Sequence, residues 1–295
     1  MDNIQEIMQR ATIGGHFRHN ILSPNMEYYR EVYKDSNHWV AGSLEGTTVI
    51  CYMEQGAGDI IQYLRYIPNL KSRCKTLYLH VPKNLHRLIE SQNWGVKLLN
   101  KTTPELPEHD VHVLSLELPF LLADNKKRPL VLQKPYISIP NKKDIPDGFN
   151  IGICWEGSPR HIDALVRACP LKYFRVLEDL GNLYSLQIPI HTQKFLEGCE
   201  DMELLGVEIN DYLDTAELIN ALDVVVCVDT SAMHLAGAMG KDVYGALSKQ
   251  CDDRWIIKEG LDPEKTMWYP SITLIRQKEL NQWESVFDEI YKRLI

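Results

Sequence analysis

The feature that most restricts the fold is a run of five apolar residues, Val224-Val225-Val226-Cys227-Val228, that stops abruptly at Asp229-Thr230-Ser231. A strand this apolar has to be covered on both faces, the situation of a central strand in a parallel sheet flanked by helices. The same rhythm appears earlier. Thr47 to Met53 is rich in β-branched residues and reads as a buried strand, and Gln55-Gly56-Ala57-Gly58 follows as a tight glycine turn. Asp59 then opens a helix with Ile60, Ile61, Leu64 and Ile67 at helical spacing, and Pro68 marks its end. Further strands are predicted over 76–81, 96–99, 111–114, 151–155, 183–187, 243–247 and 272–275. Strands alternating with helices predict α/β units with parallel sheets.

Residues 123–148 concentrate proline, lysine and turn residues between two apolar blocks, which predicts two domains, 1–148 and 149–295. The first begins with a lead-in segment, 1–45, that Tyr28, Tyr29, Tyr33 and Trp39 are placed to clamp down. In the second, Asp214 with Glu217 three residues later reads as an N-cap and capping box. A closing amphipathic helix, 282–294, buries Trp283, Val286, Ile290 and Leu294, and is able to return to the N-terminal domain.

No apolar run reaches the roughly 18 residues of a membrane span, and the start, MDNIQEIMQR, has no signal-peptide core, which predicts a cytoplasmic chain. The seven cysteines stand singly with no C-x-x-C pair, so they read as small buried thiols. The net charge of −8 is unevenly spread. Residues 1–148 carry 18 Lys and Arg against 16 Asp and Glu, whereas the rest carry 14 against 24. The acidic total disfavours general nucleic-acid binding, while the first half is less hostile to an anionic partner. Its clusters at 71–75, 126–128 and 142–143 also read as ordinary solvated loops.

Two places carry candidate chemistry. In Glu54-Gln55-Gly56-Ala57-Gly58-Asp59 a strand–glycine–helix pattern suggests a dinucleotide fingerprint, which fails three tests. Ile61 replaces the third glycine, no acid closes the second strand, and Asp59 sits where a pyrophosphate would dock. What remains is a carboxylate able to take a proton from a hydroxyl, or simply one that caps its helix. The second place, Asp229-Thr230-Ser231-Ala232-Met233-His234, lies past the carboxyl end of the most apolar strand, where open α/β sheets bind ligands. Thr230 or Ser231 caps the next helix, whose N–H groups favour an anion, and His234 is one turn in. Gly237 allows close approach and Gly240 ends the helix. The plainer account is a helix start followed by a satisfied histidine.

Taken together, these blocks are more specific. Residues 54–66, EQGAGDIIQYLRY, resemble the EQGLGDTIQFLRY block of heptosyltransferase-like GT-B glycosyltransferases. The likeness is to the bacterial and phage branch usually linked to tetratricopeptide repeats, here without them. Asp214-Thr215-Ala216 through Ala221-Leu222-Asp223, then Val228 to Ala238, is similar to that family's DTAxLIxALDLVISVDTxxAHLAGA block. Trp155-Glu156-Gly157-Ser158-Pro159 matches its WAGNP turn and Trp268-Tyr269-Pro270 its WYP. The resemblance implies two Rossmann-like α/β/α domains facing each other across a cleft, with a nucleotide-sugar in the C-terminal one. Asp59 would be the base, with Gly56 and Gly58 shaping its turn, and the anomeric centre would invert. Thr230, Ser231 and His234 would hold the pyrophosphate, with Asp229 near the sugar or helping to set the loop, Arg160 and Arg167 near the phosphates, and Gln187 near the nucleotide. The chain holds no D-x-D sequence, so neither a metal nor another cofactor is expected.

Leu165 and Ile188-Pro189 depart from the pattern, where the family tends to place an arginine and a lysine–glycine pair. These departures keep open a catalytically silent nucleotide-sugar-binding or interaction module. An epimerase on the same fold would differ in needing no acceptor. The acceptor itself is left open among a glycan or lipopolysaccharide, a protein and hydroxymethylated phage DNA. The charge asymmetry leans towards an anionic one.

Overall fold

The structure is a computed structural model describing residues 27–102, 105–123, 133–159, 161, 163–187, 199, 202, 204–205, 208–255 and 262–295. It divides into two compact units, Met1–Leu132 and Gln133–Ile295. The division falls earlier than the predicted 148/149 because the connecting stretch is bonded into the second unit. The Tyr136 and Ile137 N–H groups both donate to the Ala238 carbonyl, at 2.9 and 3.2 Å. The Asn220 amide donates to the carbonyls of Ile139 and Asn141, at 2.9 and 3.0 Å.

The first unit is built on β1 (Thr48–Tyr52), β2 (Thr76–Val81), β3 (Lys97–Asn100) and β4 (Val111–Leu114). They form one wholly parallel sheet in the order β3-β2-β1-β4. The described chain opens with α1 (Glu27–Val32). After β1 come α2 (Ala57–Leu64) and α3 (Ile67–Arg73), and α4 (His86–Glu90) and α5 (Leu118–Leu121) follow β2 and β4. Pro68 does not close α2 as expected. It occupies the first turn of α3, where its missing N–H costs nothing.

Residues 27–45 of the lead-in segment are clamped as its aromatics predict, but through histidines, and residues 1–26 lie outside the described residues. Tyr29, Tyr33 and Trp39 are buried, while Tyr28 stays 36% exposed. Tyr29 Oη lies 2.9 Å from His112 Nε2, and Tyr33 Oη 2.8 Å from His80 Nδ1. The Ser36 hydroxyl sits between His112 Nδ1, at 2.8 Å, and His109 Nε2, at 2.6 Å. Burial, with the lesser effects of His38 and His109, pushes His112 down to about 3. Burial likewise pushes His80 down to about 4.

The second unit is built on β5 (Asn150–Cys154), β6 (Asn182–Ser185), β7 (Val224–Val228), β8 (Val243–Leu247) and β9 (Ile272–Arg276). These form a second wholly parallel sheet, ordered β6-β5-β7-β8-β9. Every residue of β5 and β7 is buried, the double coverage that the valine run requires. Around them lie α6 (Ala164–Arg167), α7 (Tyr212–Ala221), α8 (Ser231–Met239) and α9 (Glu284–Leu294). The N-cap of α7 is Asp211, not Asp214: its carboxylate accepts from the N–H groups of Leu213 and Asp214 at 2.9 and 3.2 Å. Asp214 is buried inside the helix and accepts instead from Asn210 N, at 2.9 Å. Helix α9 packs on the second unit's own core, with the Phe287 ring edge-on to Phe174 at 4.5 Å. Gly240, at φ +76°, ends α8 as expected. Gly237 provides the close approach, because a Cβ there would meet the Tyr269 ring at 2.8 Å.

The buried histidines set a direction for acid sensitivity. Because their pKa values are lowered in the folded chain, the unfolded chain takes up protons first, from about pH 6.5 downwards. Their contribution is complete above that pH and is lost as pH falls towards about 4 for His80 and about 3 for His112. Glu54, raised to about 7 by burial, and His38, raised by Glu117, act in the opposite sense. A His80→Asn/His112→Asn variant is expected to lose less stability than the parent between pH 6.5 and 4, measured by urea unfolding.

Candidate active site

In the first unit the residues after β1 are fixed from below. Glu54 is buried, and its carboxylate accepts from Ser115 N at 2.7 Å, Ser115 Oγ at 2.8 Å and Leu116 N at 3.4 Å. These bonds tie the carboxyl end of β1 to that of its neighbour β4. Gln55 then takes φ +68°, a left-handed conformation that costs a non-glycine residue energy and marks a constrained turn. The expectation that the glycines carry the turn is corrected here, since Gly56 is extended at φ −78°, ψ 170°. Asp59 lies in the first turn of α2, half-buried, and its Oδ2 accepts from Gly56 N at 3.2 Å. It therefore caps its helix while keeping part of its side chain in reach of solvent. Gly58 is in the same first turn.

In the second unit a cavity of about 160 Å³ opens at the carboxyl ends of β5, β6 and β7. It is bounded by the Glu156–Pro159 turn, Gln187, Tyr212 and the first residues of α8. Thr230 and Ser231 line it. Thr230 is the N-cap residue, yet its side chain caps no backbone N–H; its hydroxyl turns to Cys154 Sγ at 3.6 Å. Ser231 Oγ accepts from Tyr212 Oη at 3.0 Å. The first turn of α8 therefore meets the cavity without a side-chain cap, the arrangement that suits an anion. Gln187 also lines the cavity, but its amide is used to hold the turn: Nε2 donates to Glu156 O at 2.9 Å and Oε1 accepts from Glu156 N at 3.3 Å.

Arg167, Asp229 and His234 are brought together beside this cavity rather than in its wall. Arg167 Nη1 meets Asp229 Oδ2 at 2.9 Å, both side chains being largely covered. His234 is 3% exposed, with Nδ1 2.8 Å from Tyr269 Oη and Nε2 4.0 Å from Asp229 Oδ1. Arg254 Nη1 lies 3.4 Å from the same Nε2 and its Nε donates to Asp252 Oδ1 at 2.9 Å. A guanidinium can only donate, so where it bonds Nε2 the histidine proton lies on Nδ1, facing the tyrosine. Sequence reasoning missed Arg254, Asp252 and Tyr212, which no motif marks as polar partners. Among the described residues, no lysine or arginine lines the cavity. Leu165 is 68% exposed and absent from the wall. Arg160 and Ile188 lie outside the described residues.

Comparison with solved structures shows what the fold is like. The iron-containing dodecameric glycosyltransferase TibC from enterotoxigenic E. coli aligns with a TM-score of 0.57 and 12% identity, over 86% of this chain and 77% of that one. A glycosyl transferase family 9 protein from Veillonella parvula aligns at 0.56 with 10% identity, over 85% and 97%. The E. coli ADP-heptose lipopolysaccharide heptosyltransferase II aligns at 0.55 with 12% identity, over 84% and 98%. No protein-family profile matches the sequence, and no curated protein matches it in sequence. The fold is that of the heptosyltransferase-like glycosyltransferases, two parallel α/β units of Rossmann type.

The Arg167–Asp229 pair has a measurable consequence. Removing one member of a covered ion pair strands the other, at a cost of about 3–5 kcal/mol. Arg167→Leu is expected to lose stability of that order in chemical denaturation, and Arg167→Leu/Asp229→Leu to recover most of it.

Proposed function

We propose that the chain is an inverting, metal-independent glycosyltransferase that moves a sugar from a nucleotide-sugar in its second unit to an acceptor hydroxyl. The observation that carries this is the helix turn at Thr230–Ala232, which the N-cap side chain of Thr230 does not cap, open to a cavity at the carboxyl end of a parallel sheet. The cavity's wall, formed by Leu186, Gln187, Tyr212 and the Glu156–Pro159 turn, suits the nucleoside, and the N–H groups of α8 suit the diphosphate. The Arg167–Asp229–His234–Arg254 cluster holds that turn in place. The glycosyltransferase fold of the neighbours supports the same class of reaction.

In the reaction the acceptor oxygen attacks the anomeric carbon from the face opposite the diphosphate. The C–O bond to the diphosphate breaks, its electron pair stays with the leaving phosphate, and the acceptor proton passes to Asp59. Loss of the diphosphate needs stabilised charge and no covalent intermediate. Asp59 has the attributes the base requires: partial exposure, a fixed position in α2, and a turn braced by Glu54.

A catalytically silent binding module is the second reading, and the ion pair that occupies the Arg167 guanidinium favours it. Thermal unfolding against a panel of nucleoside diphosphates and nucleotide-sugars tests the donor site. ADP-sugars belong in that panel because TibC has been crystallised with ADP-D-β-D-heptose. At 100 times its dissociation constant a ligand adds about 2.7 kcal/mol. One base is expected to raise Tm selectively, and Ser231→Pro, which alters the first turn of α8, to abolish the rise. No rise with any member of the panel contradicts a donor site in this cavity.

A further inference from the structure

Lys101 follows the last residue of β3, an edge strand, where a lysine side chain ordinarily extends into water. Here it does not. Its backbone N–H donates to Val81 O at 3.1 Å, holding the residue level with the carboxyl end of β2. Its side chain is half-buried and reaches across β2, placing Nζ 5.0 Å from the centre of the Tyr52 ring, the last residue of β1. The ammonium thus sits over the carboxyl ends of the strands, the edge of an open α/β sheet where ligands bind.

Two carboxyl groups act on it, Glu54 first and then Asp59, both favouring its charged form. Burial opposes them and pushes Lys101 down to about 8, so the ammonium is still charged at neutral pH. Neither carboxylate satisfies it directly. Among the described residues, none comes within 4.0 Å of Nζ and no side chain or carbonyl accepts a hydrogen bond from it. Glu54 spends its oxygens on Ser115 and Leu116. His80, the next polar group on that face, is bonded to Tyr33 and to the Asn100 carbonyl. A covered cation with unspent donors is costly, and the cost is recovered when an anion enters.

We propose that Lys101 is the anion contact of the acceptor site: it binds one oxyanion, a phosphate or carboxylate, on a carbohydrate acceptor whose hydroxyl faces Asp59. This rests on Asp59 as the acceptor-side base. A compact ammonium on a flexible stem binds such a group as a point charge. Lys101 then selects among acceptors by their charge, and Asp59 supplies the chemistry.

The test is a titration of the full chain's amide resonances with inorganic phosphate, acetate and hexose 6-phosphate in turn. Phosphate and acetate are expected to shift the amides of Asn100–Thr102 saturably. Hexose 6-phosphate is expected to bind more tightly and to move Gln55–Asp59 as well. Lys101→Met and Lys101→Gln should each weaken this binding by about tenfold or more, and Lys101→Arg should retain it. Unmoved Asn100–Thr102 amides, or the same affinity in Lys101→Met and Lys101→Gln, overturn the site. A hexose phosphate that binds no more tightly than phosphate and leaves the Asp59 turn unmoved overturns its assignment to the acceptor. None of these readouts needs a donor, so failure of the nucleotide-sugar reading is detected separately, by its own binding panel.

Discussion

Both candidate sites depend on one constraint: all the strands of each sheet run parallel, so their carboxyl ends emerge along a single edge. A parallel sheet needs helical cover on both faces, which turns its central strands into unbroken apolar runs. The residues with chemistry to perform are then confined to the loops that leave that edge. Glu54 to Asp59 follow β1, Gln187 follows β6, and Asp229 to Ser231 follow β7. The valines of β7 and the β-branched residues of β1 therefore determine where polar side chains can gather, although they touch no ligand themselves.

Charge is handled differently in the two units. In the second, Arg167 is matched by Asp229 and Arg254 by Asp252, and His234 is held between Tyr269 and Arg254. The cavity beside them is lined by the start of α8, Gln187, Tyr212 and the Glu156–Pro159 turn, and no lysine or arginine among the described residues lines it. In the proposed donor site an anion would be held by preorganised dipoles, with the paired charges keeping the loops rigid. In the first unit the pairing is incomplete. Glu54 is stabilised by N–H and hydroxyl donors and Glu117 by His38, while Lys101 rests on an aromatic ring. That unit is left with a cation to offer, consistent with the less acidic balance of its sequence.

Periodicity revealed the strands well. The predicted bounds of β2, β4, β7 and β8 are those observed, and the rest shift by a residue or two. A strand buried on both faces is recognised by its short length, its β-branched residues and the turn residues that flank it. The helix starts were read less well. Asp214 reads as the cap because a capping box is a sequence pattern, whereas the actual cap depends on where Asp211 turns its carboxylate. The Asp59 and Thr230 turns were legible because glycine and hydroxyl residues follow apolar strands there. What was not legible was which way each side chain points. His234, one turn into α8, faces Tyr269 and Trp255 and not the cavity. Lys101, just past the end of an edge strand, carries no motif. Its significance arises only when β2 and β1 are laid beside β3.

The most direct measurement is release of nucleoside diphosphate from the donor selected by the binding panel, in the presence of EDTA, by wild type and Asp59→Asn. The account predicts that wild type turns over unaffected by the chelator. Asp59→Asn is predicted to bind the donor as wild type does and to lose about a hundredfold or more in turnover, the scale of a missing general base. Turnover by Asp59→Asn at the wild-type rate would contradict the account.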